Sequence, residues 1–343
     1  MVARTNKKSK LSPLAVKVIG ILVLCILTGR LLHSPEFDKY VPIDTTGLTS
    51  SLGSITNNDA DFALAKRQSL GFFDDISTAH WKRLQEKVND MSPNFVEWLM
   101  RKKEGQEWWW FWQGHYEPDF VCQHERRLGM EADGGKWICD PHRITNKVKA
   151  GGNCLIYSIG SNNEFSFEQA MHEHIHKDCD IHIFDFGNYA EGAQKAGGKL
   201  TYHQQGLSAT DSSGKNGDVF KSLDTVFKEL GHQNTVIDIF KIDCEGCEFE
   251  TVKSWFEAAK RHNVILRQIQ VEIHNNPIEK TFTFFDIMYE NGYVIFHKEL
   301  NIPAAYNKVA AIEYAFLKLD PQFTNAVPRK KGMDAMAEIN KSF

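Results

Sequence analysis

Val236-Ile-Asp-Ile-Phe-Lys-Ile-Asp-Cys-Glu-Gly-Cys-Glu248 decides the reading of this chain. A run dominated by Val, Ile and Phe reads as a buried strand, and it breaks abruptly into small and acidic residues. About eighty residues earlier, Cys154-Leu-Ile-Tyr-Ser-Ile-Gly-Ser-Asn162 repeats the design: an apolar strand running into a small polar turn. Open α/β sheets build ligand crevices at the carboxyl ends of such strands. The first turn offers Gly160, with little side-chain bulk, where a nucleotide-like cofactor can approach closely. The second delivers Asp243 and Glu245 to the same rim.

Outward from these strands, apolar runs and helical patterns alternate. Strands are expected at Leu155 to Ile159, Ile181 to Phe186, Leu200 to Leu207, Val236 to Ile242, Ile265 to Ile273, Tyr293 to His297 and Ala310 to Leu319. Helices are expected near Phe167 to His176, Val219 to Leu230, Glu248 to Arg261 and Thr283 to Glu290. Such alternation predicts an α/β fold with a mostly parallel sheet covered by helices. No helical signal separates the last two strands, so they are expected to pair antiparallel.

The rest of the chain sets the context. A 343-residue chain that is 42% apolar can bury a large core. The first thirty residues hold six basic and no acidic side chains, and an apolar run fills Val18 to Gly29. This reads as a signal anchor within residues 1–32, extended from Leu11 to Leu32, with Lys17 and Arg30 near its ends. A cleaved signal peptide is the alternative, but no small-residue cleavage site follows. Residues 33–75 read as a stem, 76–150 as a helical and aromatic pre-domain containing Trp108-Trp-Trp-Phe-Trp112, 151–322 as the sheet domain and 323–343 as a tail. The basic flank would leave the body in the secretory lumen, in the endoplasmic reticulum or Golgi. Without its six amino-terminal cations, the chain carries 34 basic against 44 acidic residues. That balance argues against a nucleic-acid partner.

Within the sheet domain, Asp185 closes the second strand twenty-five residues after Gly160, where an acid can accept hydrogen bonds from ribose hydroxyls. The alternative is a turn or helix cap. Taken together, Tyr157-Ser-Ile-Gly-Ser-Asn162, Phe184-Asp185 and Lys241-Ile-Asp-Cys-Glu-Gly-Cys-Glu248 resemble the FkbM-like branch of S-adenosylmethionine-dependent methyltransferases, over about Glu125 to Leu319. The resemblance extends to membrane-anchored methyltransferase-like proteins. It implies a Rossmann-like class I fold of seven strands with helices on both faces, S-adenosylmethionine as cofactor, and O-methylation of a glycan or small-molecule hydroxyl. It places Gly160, Ser161 and Asn162 against the methionine part of the cofactor, Asp185 at the ribose, and Ser208 near the adenine. The chain departs from the family at Ser158, where related sequences often carry an acid.

Methyl transfer to a hydroxyl needs alignment of the acceptor and removal of its proton. Asp243 at the end of the fourth strand is the first candidate, with Glu245 and His274 as further bases or metal ligands; no dedicated metal motif is present. The structural alternatives are that Glu245 satisfies a helix terminus and that His274 bonds backbone. Glu125 to Lys136 combines charge with a tight turn and reads as a flap over the cofactor or a solvated loop. Six cysteines remain outside the anchor. Cys154 and Cys179 each stand six residues before a strand-end residue, so parallel neighbouring strands would bring them together. Cys122 and Cys139 form the other plausible pair, while Cys244-Glu-Gly-Cys247 has the spacing of a redox motif. Asn340-Lys-Ser342 is a glycosylation sequon. Two other functions compete: a lumenal glycosyltransferase using Asp178-Cys-Asp180, and a methyltransferase-fold binding module without activity.

Overall fold

The computed structural model describes residues 59–90, 116–131, 133–214, 216–274, 278–301 and 311–325. All of them fall within one of the two units into which the chain divides, Asn57–Phe343. The expected signal anchor, the Trp108–Trp112 cluster and the sequon at Asn340 lie outside the described residues. Among the described residues, no helix is long and apolar enough to cross a membrane.

Two helices, α1 (Asp59–Gln68) and α2 (Thr78–Asp90), precede a hairpin of β1 (Glu125–Leu128) and β2 (Lys136–Cys139). After α3 (Pro141–Lys149) come β3 (Leu155–Ile159), α4 (Ser166–His174), β4 (Asp180–Asp185), α5 (Ala190–Ala196) and β5 (Leu200–Gln204). Three short strands follow, β6 (Gly206–Leu207), β7 (Ser212–Ser213) and β8 (Val219–Lys221), and then α6 (Leu223–Glu229). The chain continues through β9 (Val236–Ile242), α7 (Cys247–His262), β10 (Ile265–His274), α8 (Ile278–Glu290), β11 (Tyr293–Leu300), β12 (Ala311–Lys318) and α9 (Pro321–Asn325).

Seven of these strands form one sheet in the order β11-β12-β10-β9-β3-β4-β5. The pairs from β10 to β5 are parallel, and β12 runs antiparallel to both of its neighbours. The expected antiparallel end is present, but β12 inserts between β10 and β11 instead of following at the edge. Side-chain alternation sends Leu155, Tyr157 and Ile159 of β3 into one core with Phe227 and Trp255, and Ile156 into another with Phe167 and Met171. Helices therefore cover both faces. The order reverses direction at β3, between β9 and β4, and that switch point is where open sheets leave a crevice.

Three local boundaries differ from expectation. The run Leu200 to Leu207 breaks at Gln205, and its last two residues pair instead with β8. The helix expected from Val219 starts at Leu223, because Ser222 caps it by accepting from the Thr225 amide, leaving Val219 to Lys221 as β8. Residues 59–75, read from sequence within a stem, fold here: α1 and the buried Phe73 and Ile76 pack with Val294, Phe296, Ala315 and Leu317 of the sheet. Arg267 of β10 donates to the Ser69 and Leu70 carbonyls at the end of α1.

Cys154 and Cys179 are disulfide-bonded, with Cα atoms 4.6 Å apart. The reason is register: Leu155 pairs with Asp180, so the preceding residues of β3 and β4 stand level. Cys122–Cys139 and Cys244–Cys247 are also bonded.

Candidate active site

The tips of β3, β4 and β9 converge on one cavity of about 720 Å3, lined by Gly160, Asp185 and Asp243 among others. At the tip of β3 the lining turns on Gly160. Gly160 has φ +76, and a Cβ there would lie 1.7 Å from the Asp243 carbonyl oxygen, so only glycine fits. The Gly160 amide donates to Phe184, the Asp243 amide donates to Ile159, and Lys241 Nζ donates to the Gly160 carbonyl, so three strand tips are tied together.

Asp185 holds the turn in shape. Its Oδ2 accepts from the Ser161 and Asn162 amides, both at 2.9 Å, and its Oδ1 accepts from the Gly187 amide at 2.9 Å. Asn162 sits in the left-handed region at φ 45, which asparagine tolerates. Beneath the turn, Ser158 Oγ donates to the fully buried Glu168 of α4. Burial pushes the Glu168 carboxyl up, against the opposing pull of Lys241 and Ser158.

Charge builds the other side. Asp243, Glu272 and His274 offer ligand atoms within 4.8 Å of one another, and Asp133, Asp243, Glu272 and Glu313 form an overlapping group. Lys136 of the β1–β2 hairpin reaches in, its buried ammonium paired with Glu313 and 3.7 Å from Asp243 Oδ2. Glutamines dock the hairpin on β10: Gln268 accepts from the Cys139 amide and donates to its carbonyl, both at 2.8 Å, and Gln270 donates to the Trp137 carbonyl. The segment from Glu125 to Lys136 is therefore an anchored part of the wall.

Burial opposes ionisation of Asp243, but Lys136, Lys241 and a hydrogen bond from Glu272 outweigh it and hold the carboxyl below its usual range. Burial lifts Glu272 to about 9, helped by repulsion from Asp243 and Glu313. Burial disfavours charge on His274, yet the Glu248 carboxylate, with Glu272 and Asp243, raises it to about 9. Burial penalises the Lys136 ammonium, and its carboxylate neighbours more than compensate, so it stays charged. At neutral pH Asp243 is the ionised carboxylate, while Glu272 and His274 hold protons.

The structure brings Gly160, Ser161, Asn162, Asp185, Asp243, Glu245 and His274 to the cavity lining. Ser208 is not among the lining residues: its hydroxyl donates to the Thr210 carbonyl, and Gly206 and Leu207 face the cavity in its place. Glu245 is at the rim with its side chain 86% exposed, 3.2 Å from His274 Nε2. His274 does more than bond backbone, since its Nδ1 lies 3.2 Å from Glu248 Oε1. Asp178 and Asp180 stand at the opposite end of β4 from Asp185, around the bonded Cys179, with Asp180 paired to Lys199. A sugar-nucleotide role would require them at the other tip.

Glu272, Lys241, Lys136, Glu168 and Glu313 were not singled out from sequence. Glu272 and Lys241 each precede a named candidate by two residues, and strand alternation puts them on the same face. Lys136 and Glu313 carry no local signal, because they join the site only through the packing of distant segments.

A family profile described as a methyltransferase domain matches residues 63–318. No curated protein sequence matches the chain. Among solved structures, the methyltransferase FkbM from Methylobacillus flagellatus KT is 11% identical, with a TM-score of 0.33, over 48% of this chain and 43% of that one. The pre-rRNA processing protein fibrillarin from Methanococcus jannaschii is 9% identical, with a TM-score of 0.34, over 49% of this chain and 67% of that one. A putative O-methyltransferase from Klebsiella pneumoniae is 13% identical, with a TM-score of 0.33, over 52% of this chain and 79% of that one. The family match, which takes in most of the chain and the whole cavity, makes this protein a member of the methyltransferase-domain family with a class I, Rossmann-like fold.

Proposed function

We propose that the protein transfers a methyl group from S-adenosylmethionine to a hydroxyl of a glycan or small molecule. The observation that carries this reading is the convergence of Gly160, Asp185 and Asp243 on one cavity of about 720 Å3. That volume falls in the range of about 300–1,000 Å3 typical of small-molecule sites. The residues fit the cofactor. Gly160 permits close backbone approach of the cofactor. Asp185 Oδ2 is engaged by the Ser161 and Asn162 amides and the Ser161 hydroxyl, whereas Oδ1 accepts from the Gly187 amide and keeps a second acceptor position for a ribose hydroxyl. The cofactor supplies a sulfonium-activated methyl group when bound.

The chain's own residues then align the acceptor and manage its proton. Asp243 at the tip of β9 accepts a hydrogen bond from the acceptor hydroxyl. A weak base suffices, because the hydroxyl becomes strongly acidic as its oxygen gains the methyl carbon. Lys136 keeps Asp243 ionised for that role, and Glu272 and His274 surround it with fixed polar groups. Phe184, Leu207 and Phe220 supply apolar cavity wall.

The setting we propose is the secretory lumen, with the amino-terminal segment as anchor. Supporting it are the basic flank of that segment and the Cys122–Cys139 and Cys154–Cys179 bonds, which persist in oxidising compartments. The test is formation of S-adenosylhomocysteine by the full chain against a panel of glycans, hydroxylated metabolites and amines. Product with hydroxyl acceptors is expected; product with amines alone would overturn O-methylation.

A further inference from the structure

We propose that Asp243, Glu272 and His274 bind a divalent cation at the acceptor end of the cavity. The three offer two carboxylate oxygens and one imidazole nitrogen within 4.8 Å of one another. This mixed nitrogen and oxygen set suits a first-row ion such as Mn2+ or Zn2+.

The surroundings are those of an oriented ligand set. The Nδ1 of His274 is held 3.2 Å from Glu248 Oε1, and Glu248 is fully buried. Glu248 is itself fixed by the amides of His274 and Gly246, at 3.1 and 2.9 Å. A carboxylate that grips one imidazole nitrogen fixes the ring and raises the basicity of the other, which is how metal-binding histidines are held. That other nitrogen, Nε2, lies 4.0 Å from Glu272 Oε1 and 3.2 Å from the exposed rim residue Glu245. Glu272 in turn accepts from Asn301 Nδ2 at 2.8 Å.

An independent observation points the same way. Glu313 groups with Asp133, Asp243 and Glu272 inside the same 4.8 Å limit, is only 8% exposed, and has an Oε2 with no hydrogen-bond partner among the described residues. Of these four carboxylates, Glu313 and Asp243 lie against the Lys136 ammonium. Buried carboxylates are costly unless paired or bound to a metal, and a cation would displace the protons that Glu272 and His274 hold without it. Asp243 and His274 both line the cavity, leaving the cation's remaining positions open to an acceptor oxygen. There it would act as a Lewis acid. This role rests on the methyl-transfer reading; the existence of the site does not.

The experiment is titration of EDTA-treated full chain with Mn2+, followed by electron paramagnetic resonance, with Zn2+ competition and no other ligand present. One Mn2+ per chain is expected. Glu272→Gln and His274→Gln each weaken it at least about tenfold, and Glu248→Gln, which only positions the imidazole, weakens it by about tenfold. Asp185→Ala leaves it unchanged, and circular dichroism on every variant separates lost binding from lost folding. Absence of Mn2+ or Zn2+ binding at millimolar concentration, or equal binding by folded Glu272→Gln and His274→Gln, overturns the proposal. Binding of S-adenosylmethionine by the same EDTA-treated chain is measured in parallel, so that failure of the methyl-transfer reading registers separately.

Discussion

At the tips of β3 and β4 the cavity is framed by a turn whose backbone amides are drawn onto Asp185, beside Phe184 and Phe186, whereas at the tips of β9, β10 and β12 its wall carries side-chain charge. The first region needs one glycine and one acid, twenty-five residues apart, and its geometry follows from φ angles and parallel register. The second gathers Lys136, Asp243, Glu272, His274 and Glu313 from four strands across nearly 180 residues. The contrast teaches that one half of the cavity follows from a local motif, while the other is assembled by long-range packing.

Breaking the backbone side should have the largest effect. Gly160→Ala places a Cβ against the Asp243 carbonyl at a distance no relaxation of one side chain relieves. Loss of S-adenosylmethionine binding by about a hundredfold or more, or loss of soluble protein, is expected by titration calorimetry. Near-normal affinity would mean that the turn does not contact the cofactor.

On the charged side, Asp243→Asn separates chemistry from binding. With an acceptor identified by the panel, kcat should fall about a hundredfold, while cofactor affinity stays within about threefold. Unchanged turnover would remove Asp243 from the mechanism. Lys136→Met strips the buried ammonium from Glu313 and Asp243 and should cost about 3–5 kcal/mol of stability in urea unfolding. A loss below about 1 kcal/mol would show that the hairpin is not electrostatically anchored.

A smaller effect sharpens the backbone side. His182 of β4 stacks on His203 of β5, and burial lowers it to about 4 from 6.5. A depressed histidine means that the unfolded chain binds more protons, so its contribution is complete above about pH 6.5 and is lost as pH falls toward 4. The melting temperature should drop by several degrees between pH 7 and 5, and less so in His182→Gln. Identical pH profiles would assign the acid sensitivity elsewhere. Smallest of all, Ser208→Ala should leave cofactor affinity within about twofold, because the hydroxyl is spent on the Thr210 carbonyl.

The same contrast explains what the sequence disclosed. The placement of Gly160, Asp185 and Asp243 at strand tips was legible because a buried strand ending in a small or acidic turn is a short-range pattern, and the turn-cap alternative for Asp185 is met by its three backbone amides. The Cys154–Cys179 pairing was legible because parallel register fixes heights. Glu168 was hidden because its partner Ser158 lies ten residues away on a strand, and only the packing of α4 on β3 brings the two together. The polar stripe Gln268, Gln270, Glu272 and His274 on β10 did carry a signal, since buried polar groups on one strand face require partners. Those partners, the hairpin and β12, are far away in the chain and could not be named from spacing. The insertion of β12 between β10 and β11 brings Glu313 opposite Glu272, a pairing that no local pattern encodes.

The account stands on one division of labour within a single cavity, with the cofactor at the backbone side and the acceptor at the charged side. Calorimetric titration of S-adenosylmethionine into the folded wild type, Asp185→Ala and Asp243→Asn tests it most directly. Saturable wild-type binding, weakened at least about tenfold by Asp185→Ala and kept within about threefold by Asp243→Asn, is the result expected from the geometry. No binding to the wild type, or binding that Asp185→Ala leaves untouched while Asp243→Asn abolishes it, contradicts it.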